Sequence, residues 1–187
     1  MRLFLASLGM LFISGMLLYV LFRSGAFGRS TIAPIVLPPG TWVSTLVLIA
    51  GSFTIHRAVV NIRRDRFGAF RAWLNATTAL AAGFLAIQFP CLWEILASYR
   101  VTQSHLMATH LPGQFMPMPM DGLVFCLILL HALHVVGGII AMSLVTANAL
   151  RGRYDHESYM GVANAALYWH FLDVVWIVMF TVFRLTS

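Results

Sequence analysis

The stretches Leu130-His131-Ala132-Leu133-His134-Val135-Val136-Gly137-Gly138 and Tyr168-Trp169-His170-Phe171-Leu172-Asp173-Val174-Val175-Trp176 set three histidines and an aspartate inside two runs otherwise apolar enough for lipid. Ionisable side chains at bilayer depth are costly unless they face protein or water and find partners there, so they mark the interior of a helical bundle. The fold that follows is all-α, a polytopic transmembrane helix bundle, with the remaining chain as the frame around these two segments.

Composition agrees. The 187 residues are 60% hydrophobic and 10% charged, with a mean hydropathy of +0.85, whereas a soluble domain carries roughly a quarter charged residues. The net charge of +6 comes from twelve arginines and no lysine. They stand singly or in short turns between apolar runs, a pattern of membrane topology and not of a nucleic-acid stripe. Cys91 and Cys126 form no motif and are expected to be buried thiols.

Five runs reach the roughly 20 residues that a membrane-crossing helix needs. They cover approximately 3–22, 42–61, 73–99, 122–150 and 161–183 of a single membrane domain, residues 1–187. The first resembles a signal peptide behind Arg2, but it is long and lacks a small-x-small cleavage pattern, so a retained span is expected. Leu37-Pro38-Pro39-Gly40 stops helix propagation before the second span. The link from about Ser98 to Asp121 carries His105, His110, Pro112 and Met116-Pro117-Met118-Pro119-Met120, and its proline density predicts a surface loop. Its histidines and methionines are soft enough donors for Cu(I), against which stands a proline-stiffened apolar loop lying on a partner.

Orientation follows from the arginines, because the positive-inside bias acts through short loops. Arg2, Arg57, Arg63, Arg64, Arg66, Arg71, Arg151 and Arg153 make eight on the N-terminal side, against four (Arg23, Arg29, Arg100, Arg184) on the other. The expected topology is N-in, C-out. Trp42, Trp73, Trp93 and Tyr99 fall near span ends, as interfacial anchors do. His56 and Arg57 are placed to snorkel near the inner end of the second span, and Glu94 sits near the outer end of the third.

His131 and His134, three apart, share a helix face that Gly138 continues, and Gly137 and Gly138 admit a closely packed neighbour. His170 and Asp173 repeat the spacing, with Trp169 and Trp176 on an adjoining stripe. Antiparallel fourth and fifth spans bring the polar groups to similar depth, about 12–13 Å from opposite surfaces. Two chemistries fit the pattern: ligation of a metal or haem iron by the imidazoles, or a hydrogen-bonded helix-packing network.

These same residues carry a resemblance. His131-Ala132-Leu133-His134-Val135-Val136-Gly137 resembles the His-Gly-Leu-His-Val-x-Gly pattern of the subunit III family of haem-copper oxidases, the cytochrome c oxidase subunit 3 type. Tyr168 to Trp176 resembles that family's Tyr-Trp-His-Phe-Val-Asp-x-x-Trp, with Leu172 for valine. Upstream, Leu3-Phe4-Leu5-Ala6-Ser7 and Leu37-Pro38-Pro39 are collinear with family strings, and five spans match the short bacterial form. The resemblance implies a non-catalytic subunit in a bacterial inner membrane, without catalytic, cofactor-binding or metal-binding residues of its own. Haem and copper belong to a partner, subunit I, with subunit II and membrane phospholipid as further partners, and the chain serves assembly, lipid binding and durable turnover. His131, His134, Gly138, Tyr168, Trp169, His170, Asp173 and Trp176 then become structural, lipid or subunit contacts. The chain departs from the family at three glutamate positions, occupied here by Leu8, Cys91 and Ala163, the second with Glu94 one helical turn further on. Two alternatives stand beside this expectation: a subunit III-like partner of a nitric oxide reductase, and a membrane cytochrome ligating haem through its own histidines. A transporter is disfavoured by the lack of an inverted repeat.

Overall fold

The computed structural model describes residues 1–24, 40–109, 120–152, 154 and 159–186, and among them every regular element is a helix. The order is α1 (Arg2–Arg23), α2 (Gly40–Ile62), α3 (Phe67–Thr109), α4 (Met120–Leu150) and α5 (Met160–Thr186). Each contains a stretch long and apolar enough to cross a membrane. Helix α2 packs on α3, α3 on α4, α4 on α5 and α5 back on α2, closing a four-helix ring, while α1 lies in the groove between α4 and α5.

Backbone hydrogen bonds and left-handed residues set the C-terminal ends of α2 and α4.

At the end of α2 the Arg66 amide donates to the Asn61 carbonyl at 3.0 Å and the Asp65 amide to the Ile62 carbonyl at 3.2 Å. This is a Schellman closure, with Asp65 at φ 54° in the left-handed position usually given to glycine. Aspartate is among the few side chains that enter that region at modest cost. Helix α4 also ends on a left-handed residue, Gly152 at φ 71°, whose amide donates to the Ala149 carbonyl at 3.1 Å.

The third helix corrects the expected loop. It continues past Ser98 to Thr109, for 43 residues or about 64 Å, roughly twice the hydrocarbon thickness. Pro90 lies inside it, and from Cys91 to Leu111 the sequence has neither proline nor glycine, so nothing halts propagation until Pro112. His105 and Met107 therefore sit on helical backbone. His110, Pro112, the Met116 to Pro119 string, the Leu37-Pro38-Pro39 stop, and Arg153, Asp155 and Glu157 lie outside the described residues. Cys91 is buried as expected, but Cys126 is exposed on the outer face of α4, and both are free thiols.

In lipid, helices gain little by hiding apolar surface from one another, so close packing and interhelical hydrogen bonds hold them together. Thr77 on α3 bonds Thr54 on α2 at 2.9 Å, Thr78 bonds Thr146 on α4 at 3.1 Å, and Trp176 Nε1 on α5 donates to Thr45 Oγ1 on α2 at 3.0 Å. The α4–α5 contact depends on Gly138. A Cβ there would come within 3.1 Å of Tyr168 Cε1 and 3.2 Å of Leu172 Cδ1. We predict that Gly138→Leu destabilises the bundle by about 1–3 kcal/mol through overpacking, measured by unfolding in detergent, whereas Gly137→Ala, at an exposed position, leaves the transition within about 0.5 kcal/mol.

Candidate functional site

The eight residues singled out in the sequence are all buried or half-buried, and they divide between two seams. On the α2–α5 seam, Ser52 Oγ stands 2.7 Å from His170 Nδ1 and donates to Asp173 Oδ2. With Asp173 ionised the single serine hydrogen goes to the carboxylate and His170 Nδ1 donates to Ser52 Oγ; with Asp173 protonated both bonds reverse. Asp173 is 5% exposed, and its Oδ1 has no hydrogen-bond partner among the described residues. Gly51 faces the Trp169 indole, and a Cβ there would stand in ordinary van der Waals contact with it, at 3.4 Å from Nε1.

The second seam joins α1, α4 and α5. His131, 1% exposed, stacks on Trp176 at 5.2 Å between ring centroids, and meets Phe12 edge-on at 6.1 Å. Neither of its ring nitrogens has a partner among the described residues. The expected hydrogen-bonded network is thus replaced at His131 by aromatic packing. His134 takes a different course: its Nδ1 donates to the Leu130 carbonyl at 2.6 Å, and its own backbone carbonyl accepts from Tyr168 Oη at 3.0 Å. Trp176 also meets Phe84 of α3 edge-on at 5.9 Å, so one indole links α2, α3, α4 and α5.

The histidines therefore do not converge. Among the described residues no three His, Cys, Asp or Glu side chains are grouped to hold a metal ion. Sequence reasoning missed Ser52, the hub of the polar seam. The available signal was a run of small polar residues on α2, Thr41, Thr45 and Ser52, ending at His56 one turn further on. It also passed over Gln88, which is 2% exposed with neither amide atom partnered among the described residues.

No family model matches the chain. It is 30% identical over 183 residues to the cytochrome c oxidase subunit 3 of Thermostichus vulcanus, an alignment covering 89% of this chain and 83% of that protein. The chain belongs to the cytochrome c oxidase subunit 3 family. It is also 27% identical over 183 residues to the subunit 3 of Bacillus sp. strain PS3, covering 96% of this chain and 81% of that protein. Against the Synechocystis sp. subunit 3 it is 32% identical over 146 residues, 78% of this chain and 55% of the relative. Leu8 and Cys91 are buried, at 7% and 5% exposure, and Ala163 is half-buried.

The two seams differ in what a substitution removes. Ser52→Ala strips His170 and Asp173 of their shared partner and is expected to cost on the order of 1–3 kcal/mol. His131→Phe keeps the stack on Trp176 and loses no hydrogen bond, so its expected effect is below about 1 kcal/mol. Unfolding of both variants in one detergent checks the ranking, and the reverse order would refute it.

Proposed function

We propose that this chain is the non-catalytic integral subunit III of a haem-copper terminal oxidase, supporting assembly, lipid binding and sustained turnover while subunit I carries out oxygen reduction and subunit II completes the core complex. The observation that carries this proposal is family membership over nearly the whole chain. The donor set supports placing haem and copper in the partner: His134 is bonded to its own helix, His170 to Ser52, and His131 is enclosed by Trp176 and Phe12. A groove of about 340 Å³ between α1, α4 and α5, lined by Phe4, Gly137, Ala141, Gly161 and Tyr168, is apolar and suits a phospholipid acyl chain. A bacterial inner membrane is the proposed location.

The structural contacts proposed for the eight residues have a direct test. Purification of the tagged chain from mild detergent is expected to bring subunits I and II with it, together with haem in a reduced-minus-oxidised spectrum. His170→Ala or Asp173→Ala is expected to weaken that assembly or shorten turnover lifetime without altering the partner's haem spectrum. A stoichiometric haem band retained by the separated chain and lost in His134→Ala would instead make it a cytochrome, and co-purification with a nitric oxide reductase would change the complex to which it belongs.

An N-in, C-out orientation is proposed with it, on the excess of arginine at the N-terminal end. Arg57 lies 5.8 Å from the Phe53 ring and 5.7 Å from the Trp73 ring, and Arg63 lies 5.3 Å from that of Tyr159, as guanidinium groups held at an interface do. A reporter active only in the cytoplasm is expected to be silent when fused to Ser187; strong activity would invert the topology.

A further inference from the structure

We propose that Ser52, His170 and Asp173 form a proton-binding site on the α2–α5 seam, holding one exchangeable proton and open toward the N-terminal end of the bundle along His56. The inference rests on the seam's geometry and does not depend on the oxidase proposal. Serine joins the two titratable groups directly, through its contacts with His170 Nδ1 at 2.7 Å and Asp173 Oδ2. Asp173 is buried with Oδ1 unpartnered among the described residues, whereas His170 is half-buried and reaches the seam's edge. His56, one turn along α2 from Ser52, is exposed and close enough to act electrostatically on His170.

The surroundings leave the site's own groups to balance its charge. Helix α1 has no ionisable side chain between Arg2 and Tyr19. On α4, His131 and His134 are committed to the Phe12 and Trp176 side. On α2, His56 is the titratable neighbour. Without a bound proton, neutral His170 and ionised Asp173 leave one uncompensated negative charge in a poorly solvated seam, which is costly. One added proton cancels it.

That proton enters at His170 Nε2. The Nδ1 hydrogen then passes to Ser52 Oγ as the serine hydrogen passes to Asp173 Oδ2, leaving neutral imidazole, an intact hydroxyl and a carboxylic acid. The N–H and O–H bonds broken equal those formed, and no oxidant or reductant is required. Release runs the same steps backwards.

Infrared titration of the full chain in lipid nanodiscs tests this site. The sequence has only six side-chain carboxylates, and solvated carboxylates, the terminal one included, are ionised at about pH 7. The expected result is a protonated-carboxyl stretch at that pH, shifted in D2O and absent in Asp173→Asn. Ser52→Ala, with Ser52→Thr as the hydroxyl-retaining control, is expected to slow hydrogen–deuterium exchange of that band at least tenfold, and Ser52→Thr to restore it. If Asp173→Asn does not fold, site-specific isotope labelling of Asp173 in the otherwise unchanged chain assigns the band. Absence of a protonated carboxyl, a band that survives Asp173→Asn, or exchange insensitive to the Ser52 hydroxyl would each overturn the proposal.

Discussion

A polar atom inside a lipid-embedded bundle has no water to fall back on, and this requirement governs how α2, α4 and α5 meet. Two solutions coexist in the chain. His170 and Asp173 are tied through Ser52 on another helix, so their polarity becomes an interhelical link. His131 makes no hydrogen bond among the described residues and is enclosed by aromatic rings, so it serves as a flat packing element. The two arrangements place opposite demands on sequence: the first needs a hydroxyl at one position, the second only ring surface.

A third contact depends on glycine: Tyr168 reaches the His134 carbonyl because Gly138 leaves room for its ring. Close backbone approach is the usual source of helix association in lipid. Here it also determines which polar groups can touch, so small residues position the polar chemistry without contributing any atoms to it.

The five spans were legible in the sequence because apolar run length is a direct physical requirement of the bilayer. Helix α3 was misjudged at its far end because proline density after Pro112 was extended backwards over a segment that contains no breaker. The site was legible as a residue list and not as an arrangement. Three-residue spacing correctly placed His170 with Asp173, but the partner that joins them comes from α2, 118 residues away from His170 in the chain. Spacing also grouped His131 with His170 by depth, whereas the structure assigns them to different seams. Helical periodicity gives the face of each helix and is silent on which neighbour that face meets.

The residues at Leu8, Cys91 and Glu94 narrow where ionisable chemistry can reside. Leu8 and Cys91 occupy buried positions without a carboxylate, and Glu94, one helical turn beyond Cys91, is exposed. Leu8 lies one turn before Phe12, the ring that covers both His131 and His134, so an apolar side chain there is consistent with an aromatic, hydrogen-bond-free surrounding for His131. Asp173 is then the buried carboxylate among the described residues, and its bonded partner, Ser52, belongs to the α2–α5 seam. Among the described residues, a proton held on a buried carboxylate therefore belongs to that seam and not to the α1–α4 contact, where Phe12 meets His131 and His134.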